Sequence, residues 1–222
     1  DTLLTMSYMG TDAIVMRHSA EGAPLYATKA VDPIIINAGD GAHEHPTQAL
    51  LDMYSILEKK ESLEGLKVVI IGDIMHSRVA RSNIYGLTKM GADVHLAGPR
   101  TMVYPELEKL GVTVHHDIRE AVADADVVNV LRIQLERIHS ALYPTNREYA
   151  RIFGINNDVL KLAKDDVMVM HPGPMNRGLE IAPDVAYSDQ SVIQEQVRNG
   201  VAVRMAVLYL TIIGGDGSEL AY

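Results

Sequence analysis

Short apolar runs alternate along the chain with longer helical stretches, and this alternation predicts the order of strands and helices. The apolar runs are four or five residues long and rich in Val, Ile and Leu, which is too short for an amphipathic helix. Strands are predicted at residues 13–16, 34–37, 67–71, 93–97, 112–115, 127–131 and 167–170. Helices are predicted at residues 46–58, 79–90, 104–110, 118–123, 157–163 and about 191–213.

Strands that alternate with helices and are apolar on both faces predict parallel sheets and the α/β class. A charged stretch, Lys59 to Ser62, marks the seam between two units. Residues 1–60 form the first unit and residues 61–190 the second. Helix 191–213 is apolar on most sides in its second half, so it is expected to lie buried between the two units and to complete the first. Residues 214–222 are a C-terminal tail, and the first unit is incomplete because only two strands precede the seam.

Composition narrows the class of protein. Of the 222 residues, 47% are hydrophobic and 22% charged, which is ordinary globular usage. A net charge of −9 argues against a general nucleic-acid surface, and the absence of cysteine excludes disulfides, thiolate zinc sites and a cysteine nucleophile. With no apolar run of about 20 residues and no signal-type start, the prediction is a cytoplasmic protein that spans no membrane.

Basic and polar side chains follow the carboxyl ends of several predicted strands. Ligands of open α/β sheets bind at those ends. An arginine follows three strands, at Arg17, Arg78 and Arg132, and a histidine follows two others, at His45 and His171. In a net-acidic chain this concentration predicts a pocket for an anionic ligand that carries more than one acidic group.

Other kinds of site are less favoured by the same residues. The turn after residues 67–71 lacks the glycines of a dinucleotide-binding loop, so no nicotinamide or flavin cofactor is predicted. His43 and His45 could suggest a metal, but histidines at a helix entry without an E-x-x-H partner are more often hydrogen-bonded, and no metal is predicted. Asp52 could act as a general base, but a carboxylate between the first turn and the middle of a helix is more often structural.

The segment from His45 to Gln48 carries the clearest local signal. A polar loop follows a buried strand, turns through Gly39 and Gly41, and opens a helix at Pro46. Free N–H groups at a helix start favour an anion or a polarised carbonyl oxygen. His45 and Gln48 are three residues apart, so they should project toward the same site.

Four motifs, in order along the chain, resemble the aspartate carbamoyltransferase family. The resemblance runs from about residue 1 to residue 214. The ornithine carbamoyltransferases share that fold but read H-P-C-Q and H-C-L-P at two of the motifs and lack R-x-Q-x-E-R, so the aspartate branch is favoured. The motifs are V-M-R-H at 15–18, N-A-G-D-G at 37–41 continuing into H-P-T-Q-A-L-L-D at 45–52, L-R-I-Q-L-E-R at 131–137, and H-P-G-P-M-N-R-G at 171–178.

The resemblance implies two α/β domains of the carbamoyltransferase type and transfer of the carbamoyl group of carbamoyl phosphate to L-aspartate, in pyrimidine biosynthesis. It implies that Arg17 and His45 are catalytic. It implies no cofactor and a homotrimer of catalytic chains, with regulatory or dihydroorotase chains as further partners left open. By motif position, carbamoyl phosphate would be held by Arg17, His45, Gln48, Gly173 and Pro174, and aspartate by Arg78, Arg132 and Gln134.

Two features of the family do not occur between Asp1 and Tyr222. One is an S-T-R-T-R loop that grips the phosphate, and the other is a lysine loop that reaches a neighbouring subunit. A fragment, a segment removed from the chain, and a degenerate paralogue all remain open as explanations. The expectation is that this chain by itself has negligible carbamoyltransferase activity and exposes an apolar face.

Two other functions stay open beside the leading one. A non-catalytic chain that assembles with intact catalytic chains is separated from an enzyme by a carbamoyl-aspartate assay. A carbamoyltransferase for another amine is separated by comparing the binding of L-aspartate, succinate and ornithine in the presence of phosphate.

Overall fold

Two parallel sheets organise the computed structural model, which describes residues 1–134 and 143–214. The first sheet pairs β1 with β2, and the second has the order β5-β4-β3-β6-β7. All strand pairs in both sheets are parallel, which confirms the predicted α/β class. The strands are β1 Ala13–His18, β2 Ile34–Asp40, β3 Lys67–Ile71, β4 Asp93–Ala97, β5 Thr113–His115, β6 Val127–Val130 and β7 Met168–Met170.

Helices cover the sheets and connect them. Helix α3 packs against β2 of the first sheet, against α4 beside the second sheet, and against α9. The helices are α1 Thr2–Tyr8, α2 Ala23–Ala27, α3 Pro46–Lys60, α4 Arg78–Lys89, α5 Ile118–Val122, α6 Asn146–Phe153, α7 Asn157–Leu160, α8 Pro183–Ala186 and α9 Ile193–Ile212, with a 3₁₀ helix at Pro105–Leu110. None of the described helices is long and apolar enough to cross a membrane.

The position of β3 at the centre of the second sheet explains why its sequence is a continuous apolar run. Val68 and Ile70 belong to the core on the α4 side of the sheet, and Val69 and Ile71 belong to the core on the α5 side. All four are at most 1% exposed. Because both faces of the sheet are covered, no position of the strand needs to be polar.

Several helical predictions were wrong or incomplete. The helix predicted at residues 104–110 is a 3₁₀ helix, and α1, α2, α6 and α8 were not predicted. Three of the missed helices have seven residues or fewer, which is too short for a clear helical period. Helix α6 had a signal that was overlooked: Thr145 caps it by accepting a hydrogen bond from the Glu148 N–H, the T-x-x-E pattern of a helix start.

The second half of α9 is exposed, so its predicted burial was wrong. Val201 and Met205 are 60% and 64% exposed, whereas Gln196 and Asn199 in the first half are buried. The first half packs against α3. The second half faces the two-stranded sheet and the start of α3 across a cavity of about 180 Å³, whose walls include Val15, Thr47 and apolar residues of α9.

Candidate active site

A cavity of about 390 Å³ lies where the ends of β3 and β6 meet the first unit. These two strands are neighbours in the second sheet, and the chain leaves them in opposite directions across it, since β4 lies on the far side of β3 and β7 on the far side of β6. This is the switch point at which open α/β sheets bind ligands. The cavity is lined by all eight predicted site residues, Arg17, His45, Gln48, Arg78, Arg132, Gln134, Gly173 and Pro174, and by Ser77, Val79, Pro172 and Arg204.

Arg17 and His45 form a contact pair on one wall. Arg17 lies in β1, its Nε donates to the Ala38 carbonyl oxygen at 2.8 Å, and one terminal nitrogen is 3.2 Å from His45 Nε2. A guanidinium only donates hydrogen bonds, so Nε2 of His45 accepts here and the ring proton lies on Nδ1. Within the described residues Nδ1 is buried without a hydrogen-bond partner. The backbone N–H of His45 donates to Ser82 Oγ of α4, which ties the two units together at this point.

The imidazole of His45 is neutral at physiological pH. Burial, and secondarily the charges of nearby arginines, lowers its pKa from 6.5 to about 4. Those arginines are Arg17, Arg78 and Arg204. A neutral imidazole beside cationic groups can hydrogen-bond a polarised oxygen without adding to the repulsion between those cations.

The pKa of His45 predicts a pH-dependent loss of stability. The unfolded chain binds a proton below about pH 6.5 and the folded chain only below about pH 4, so unfolding becomes easier as the pH falls through this window. The loss should approach about 3 kcal/mol in free energy of unfolding. Urea titrations from pH 7 to pH 4.5 should show this loss as a difference between the wild type and His45→Gln, because groups common to both, such as Asp52 with its raised pKa, change the stability of both proteins equally. Parallel curves for the two proteins would contradict the prediction.

Arg78 is held from both units. It is the first residue of α4, whose N-cap Ser77 accepts a hydrogen bond from the Ala80 N–H. Its guanidinium donates to the Gly41 carbonyl oxygen at 3.1 Å. The side chain crosses so close to Gly39 that a Cβ there would lie 2.6 Å from Arg78 Nε, and φ at Gly39 is +116°. Only glycine fits this position, because it has no Cβ and tolerates that backbone conformation.

Arg132 and Gln134 follow β6 on the wall opposite the first unit. The Ile133 carbonyl oxygen between them accepts a hydrogen bond from Asn176 Nδ2 at 2.8 Å, which fixes this segment to the loop after β7. In that loop the Gly173–Pro174 peptide bond is cis. The amide oxygen Oε1 of Gln134 is buried without a hydrogen-bond partner among the described residues. The R-x-Q-x-E-R pattern continues into residues 135–142, so its Glu136 and Arg137 lie outside the described residues.

Arg204 of α9 also lines the cavity, although it was not among the predicted site residues. One of its terminal nitrogens donates to the Gly200 carbonyl oxygen at 2.9 Å, one helical turn earlier. The available signal was a single cation inside the apolar run from Val201 to Val207. A lone charged side chain in such a run needs a polar environment, and here the cavity provides it. Together with Arg17, Arg78 and Arg132, it makes the cavity strongly basic in an acidic chain.

Asp52 is not positioned to act as a general base. It is absent from the cavity lining and fully buried, and it accepts hydrogen bonds from amide groups on three helices. Burial raises its pKa to about 6, although those amide hydrogen bonds partly oppose the shift. The structural reading of this carboxylate is therefore the correct one.

His43 is engaged within its own loop. Its Nδ1 lies 3.0 Å from Asp40 Oδ2, and Asp40 also accepts hydrogen bonds from Asn37 and from the Gly22 and Glu44 N–H groups. These bonds lower the pKa of Asp40 despite its burial. In the described parts of the chain, no three His, Asp or Glu side chains are grouped so that they could hold a metal ion.

The fold and the cavity define a class of protein. It is an α/β protein with two parallel-sheet units that binds an anionic ligand at the junction between them, with arginines from both units and a neutral histidine. Comparison with models of protein families narrows this class to one family. The aspartate/ornithine carbamoyltransferase carbamoyl-P binding domain matches residues 1–58, and the Asp/Orn binding domain matches residues 64–211. The chain belongs to the aspartate/ornithine carbamoyltransferase family.

Curated relatives narrow the similarity to one branch. The aspartate carbamoyltransferase catalytic subunit of Desulforamulus reducens is 60% identical over 221 residues, which is 100% of this chain and 70% of that protein. The corresponding subunit of Heliobacterium modesticaldum is 62% identical over 98% of this chain and 70% of its own length. The chain thus spans about 70% of the length of these relatives.

Solved structures of both branches share the fold. Aspartate transcarbamoylase from Trypanosoma cruzi in complex with phosphate has a TM-score of 0.81 and 31% identity, over 94% of this chain and 69% of that one. Ornithine carbamoyltransferase from Pyrococcus furiosus also has a TM-score of 0.81, with 32% identity over 96% of this chain and 71% of that one. Because the two scores are equal, the fold does not select the amine substrate, and the sequence identity to the catalytic subunits does.

Proposed function

We propose that this chain, once its site is completed by a phosphate-gripping loop like the one that does not occur between Asp1 and Tyr222, transfers the carbamoyl group of carbamoyl phosphate to the amino group of L-aspartate, giving N-carbamoyl-L-aspartate and phosphate for pyrimidine biosynthesis. The names of the relatives about 60% identical to it support this reaction. The observation that carries it is that all eight candidate site residues line one basic cavity. Both reactants are anions, and planar guanidinium groups suit phosphate and carboxylate oxygens.

The first wall of the cavity would hold carbamoyl phosphate. Arg17 and His45 face the carbonyl oxygen, Gln48 contacts the carbamoyl group, and the backbone at Gly173 and Pro174 closes over the ligand. In the structure Arg17 donates to His45 Nε2. For both groups to donate to the same oxygen, the guanidinium turns to the ligand and the imidazole proton moves from Nδ1 to Nε2.

Aspartate would bind on the second wall, with Arg78 and Arg132 on its two carboxylates and Gln134 assisting. The neutral amine attacks the carbonyl carbon, a C–N bond forms, and negative charge builds on the carbonyl oxygen beside Arg17 and His45. The bond from that carbon to the phosphate oxygen then breaks, and the leaving phosphate takes the amine proton. No covalent enzyme intermediate or side-chain base is required, and much of the acceleration comes from holding two anions side by side.

Ligand titration separates this function from its alternatives. L-aspartate and succinate should bind to the chain in the presence of phosphate, and ornithine should not, because ornithine carries a cation where aspartate has a second carboxylate. Calorimetry with each compound measures this. Binding of ornithine but not succinate would favour another amine substrate. If carbamoyl-aspartate is not formed even when an N-terminal fragment of a relative, inactive by itself, is added to complete the site, the non-catalytic alternative is favoured.

The proposal extends to assembly, domain division and location. We expect a homotrimer in the cytoplasm, with residues 1–60 and helix 191–213 forming the carbamoyl-phosphate domain and residues 61–190 the aspartate domain. Exposed apolar side chains on α2 and α9, and on α1 with the residue that follows it, support association with other chains. They include Tyr8, Met9, Leu25, Tyr26, Val201 and Met205.

A further inference from the structure

The carboxylate of Asp52 is the centre of a buried group of amide side chains. It is 0% exposed and lies in the middle of α3. Oδ1 accepts hydrogen bonds from Gln48 Nε2 at 2.9 Å and from Gln196 Nε2 at 2.8 Å, and Oδ2 accepts one from Asn83 Nδ2 at 2.7 Å. The donors belong to α3, α9 and α4, so a single side chain joins three helices.

These contacts fix which way each amide faces. Gln48 lines the cavity and its NH₂ group is committed to Asp52, so the group it can offer a ligand is the carbonyl oxygen Oε1. Reversing that amide would place a carbonyl oxygen against a buried carboxylate. An acceptor in the cavity suits a ligand with N–H groups, such as a carbamoyl NH₂, and not a bare phosphate oxygen.

A second branch leads from Asp52 to the loop after β7. Gln196 donates to Asp52 and accepts the His171 N–H at 2.9 Å through its own oxygen. His171 Nδ1 then accepts the Gly173 N–H at 2.9 Å. Gly173 lines the cavity. The Gln196 amide donates through its NH₂ group and accepts through its oxygen, so these two hydrogen bonds together fix its orientation.

We propose that Asp52 is a positioning residue that orients the Gln48 carbonyl toward the cavity and, through Gln196 and His171, holds the Gly173 turn in place. The consequence is selectivity for a phosphate ligand that carries an amide over phosphate alone. This inference rests on the proposed function for the nature of the ligand, but the positioning itself is a property of the unliganded chain.

Asp52→Leu tests the selectivity, because leucine has nearly the shape of aspartate and accepts no hydrogen bond. The Gln48 and Gln196 amides then lose the acceptor that orients them. Affinity for phosphonoacetamide, a stable amide-bearing phosphonate, should fall about tenfold or more, and affinity for inorganic phosphate less than about threefold. Equal losses for both ligands would overturn the proposal.

Two further variants separate positioning from general stability. Exchanging the partners, Asp52→Asn with Asn83→Asp, restores a donor opposite an acceptor and should recover phosphonoacetamide binding to within about threefold of wild type. Asn199→Ala is the matched control. Asn199 Nδ2 donates to Ser55 and Glu58 in the same contact between α3 and α9, but it makes no hydrogen bond to Asp52, Gln48 or Gln196. Its binding of both ligands should stay unchanged. Failure of the exchange to recover binding, or a tenfold loss in the control, would overturn the proposal.

Nuclear magnetic resonance spectra of the unliganded chain test the positioning role of Asp52 directly. Gln196→Met removes the second branch and leaves Gln48 as a donor to the same Asp52 oxygen. The Gly173 amide signal should therefore shift, while the Gln48 side-chain NH₂ group stays protected from exchange with solvent. In Asn199→Ala neither property should change. An unmoved Gly173 signal in Gln196→Met would overturn the proposal, even if Asp52→Leu does not fold. If the wild-type chain binds neither phosphonoacetamide nor phosphate, the proposed function fails, and these spectra still test the positioning.

Discussion

His45→Ala should lower the turnover number about 100- to 1,000-fold, with a smaller change in the KM for aspartate. His45 is 7% exposed and in contact with Arg17 on the wall assigned to the carbonyl oxygen. A donor aimed at an oxygen that gains negative charge stabilises the transition state more than the bound substrate. Steady-state kinetics in an enzyme that carries this site and turns over both substrates measure the effect.

The control is another histidine outside the cavity. His95 of β4 pairs with His115 and Asp93 and is absent from the cavity lining. His95→Ala should therefore leave the turnover number unchanged. If His45→Ala raised the KM for aspartate as much as it lowered turnover, the assignment of this residue to the carbonyl oxygen would be wrong.

Arg132→Ala should weaken aspartate binding about 10- to 150-fold and leave the KM for carbamoyl phosphate nearly unchanged. A charge-assisted hydrogen bond contributes about 1.5–3 kcal/mol, which corresponds to this range. Arg132 and Gln134 follow β6 of the second sheet and line the cavity from that side, whereas Arg17 lies in β1 of the first sheet. Initial rates at varied aspartate, with carbamoyl phosphate saturating, measure the change.

Two variants sharpen this experiment. Arg132→Lys keeps the charge but loses the planar fork, so its KM for aspartate should lie between those of wild type and Arg132→Ala. Arg100→Ala removes an exposed arginine that does not line the cavity and should have no effect. If Arg132→Ala raised the KM values for aspartate and carbamoyl phosphate equally, the two substrates would not bind to separate walls of the cavity.

The strands could be predicted well because burial on both faces leaves a strong local pattern. Residues 67–71 and 93–97 agree with β3 and β4 at both ends. Short helices such as α2 and α8 leave no such pattern, since five or four residues complete little more than one turn. The error at α9 has a different cause: an apolar stretch predicts that something covers it, and the sequence does not say whether that is another part of the same chain.

The sequence by itself determined the fold class, the family and eight candidate site residues, because strand patterns and contiguous motifs are local properties of the chain. Only the tertiary structure decided that those eight residues share one cavity, that Arg204 joins them, and that Asp52 is a buried hub for amides and not a base. Arg204 and Asp52 acquire these positions from the packing of α9 against α3, more than 140 residues apart along the chain. Contacts between segments so far apart depend on how the helices pack, and no local pattern of residues encodes them.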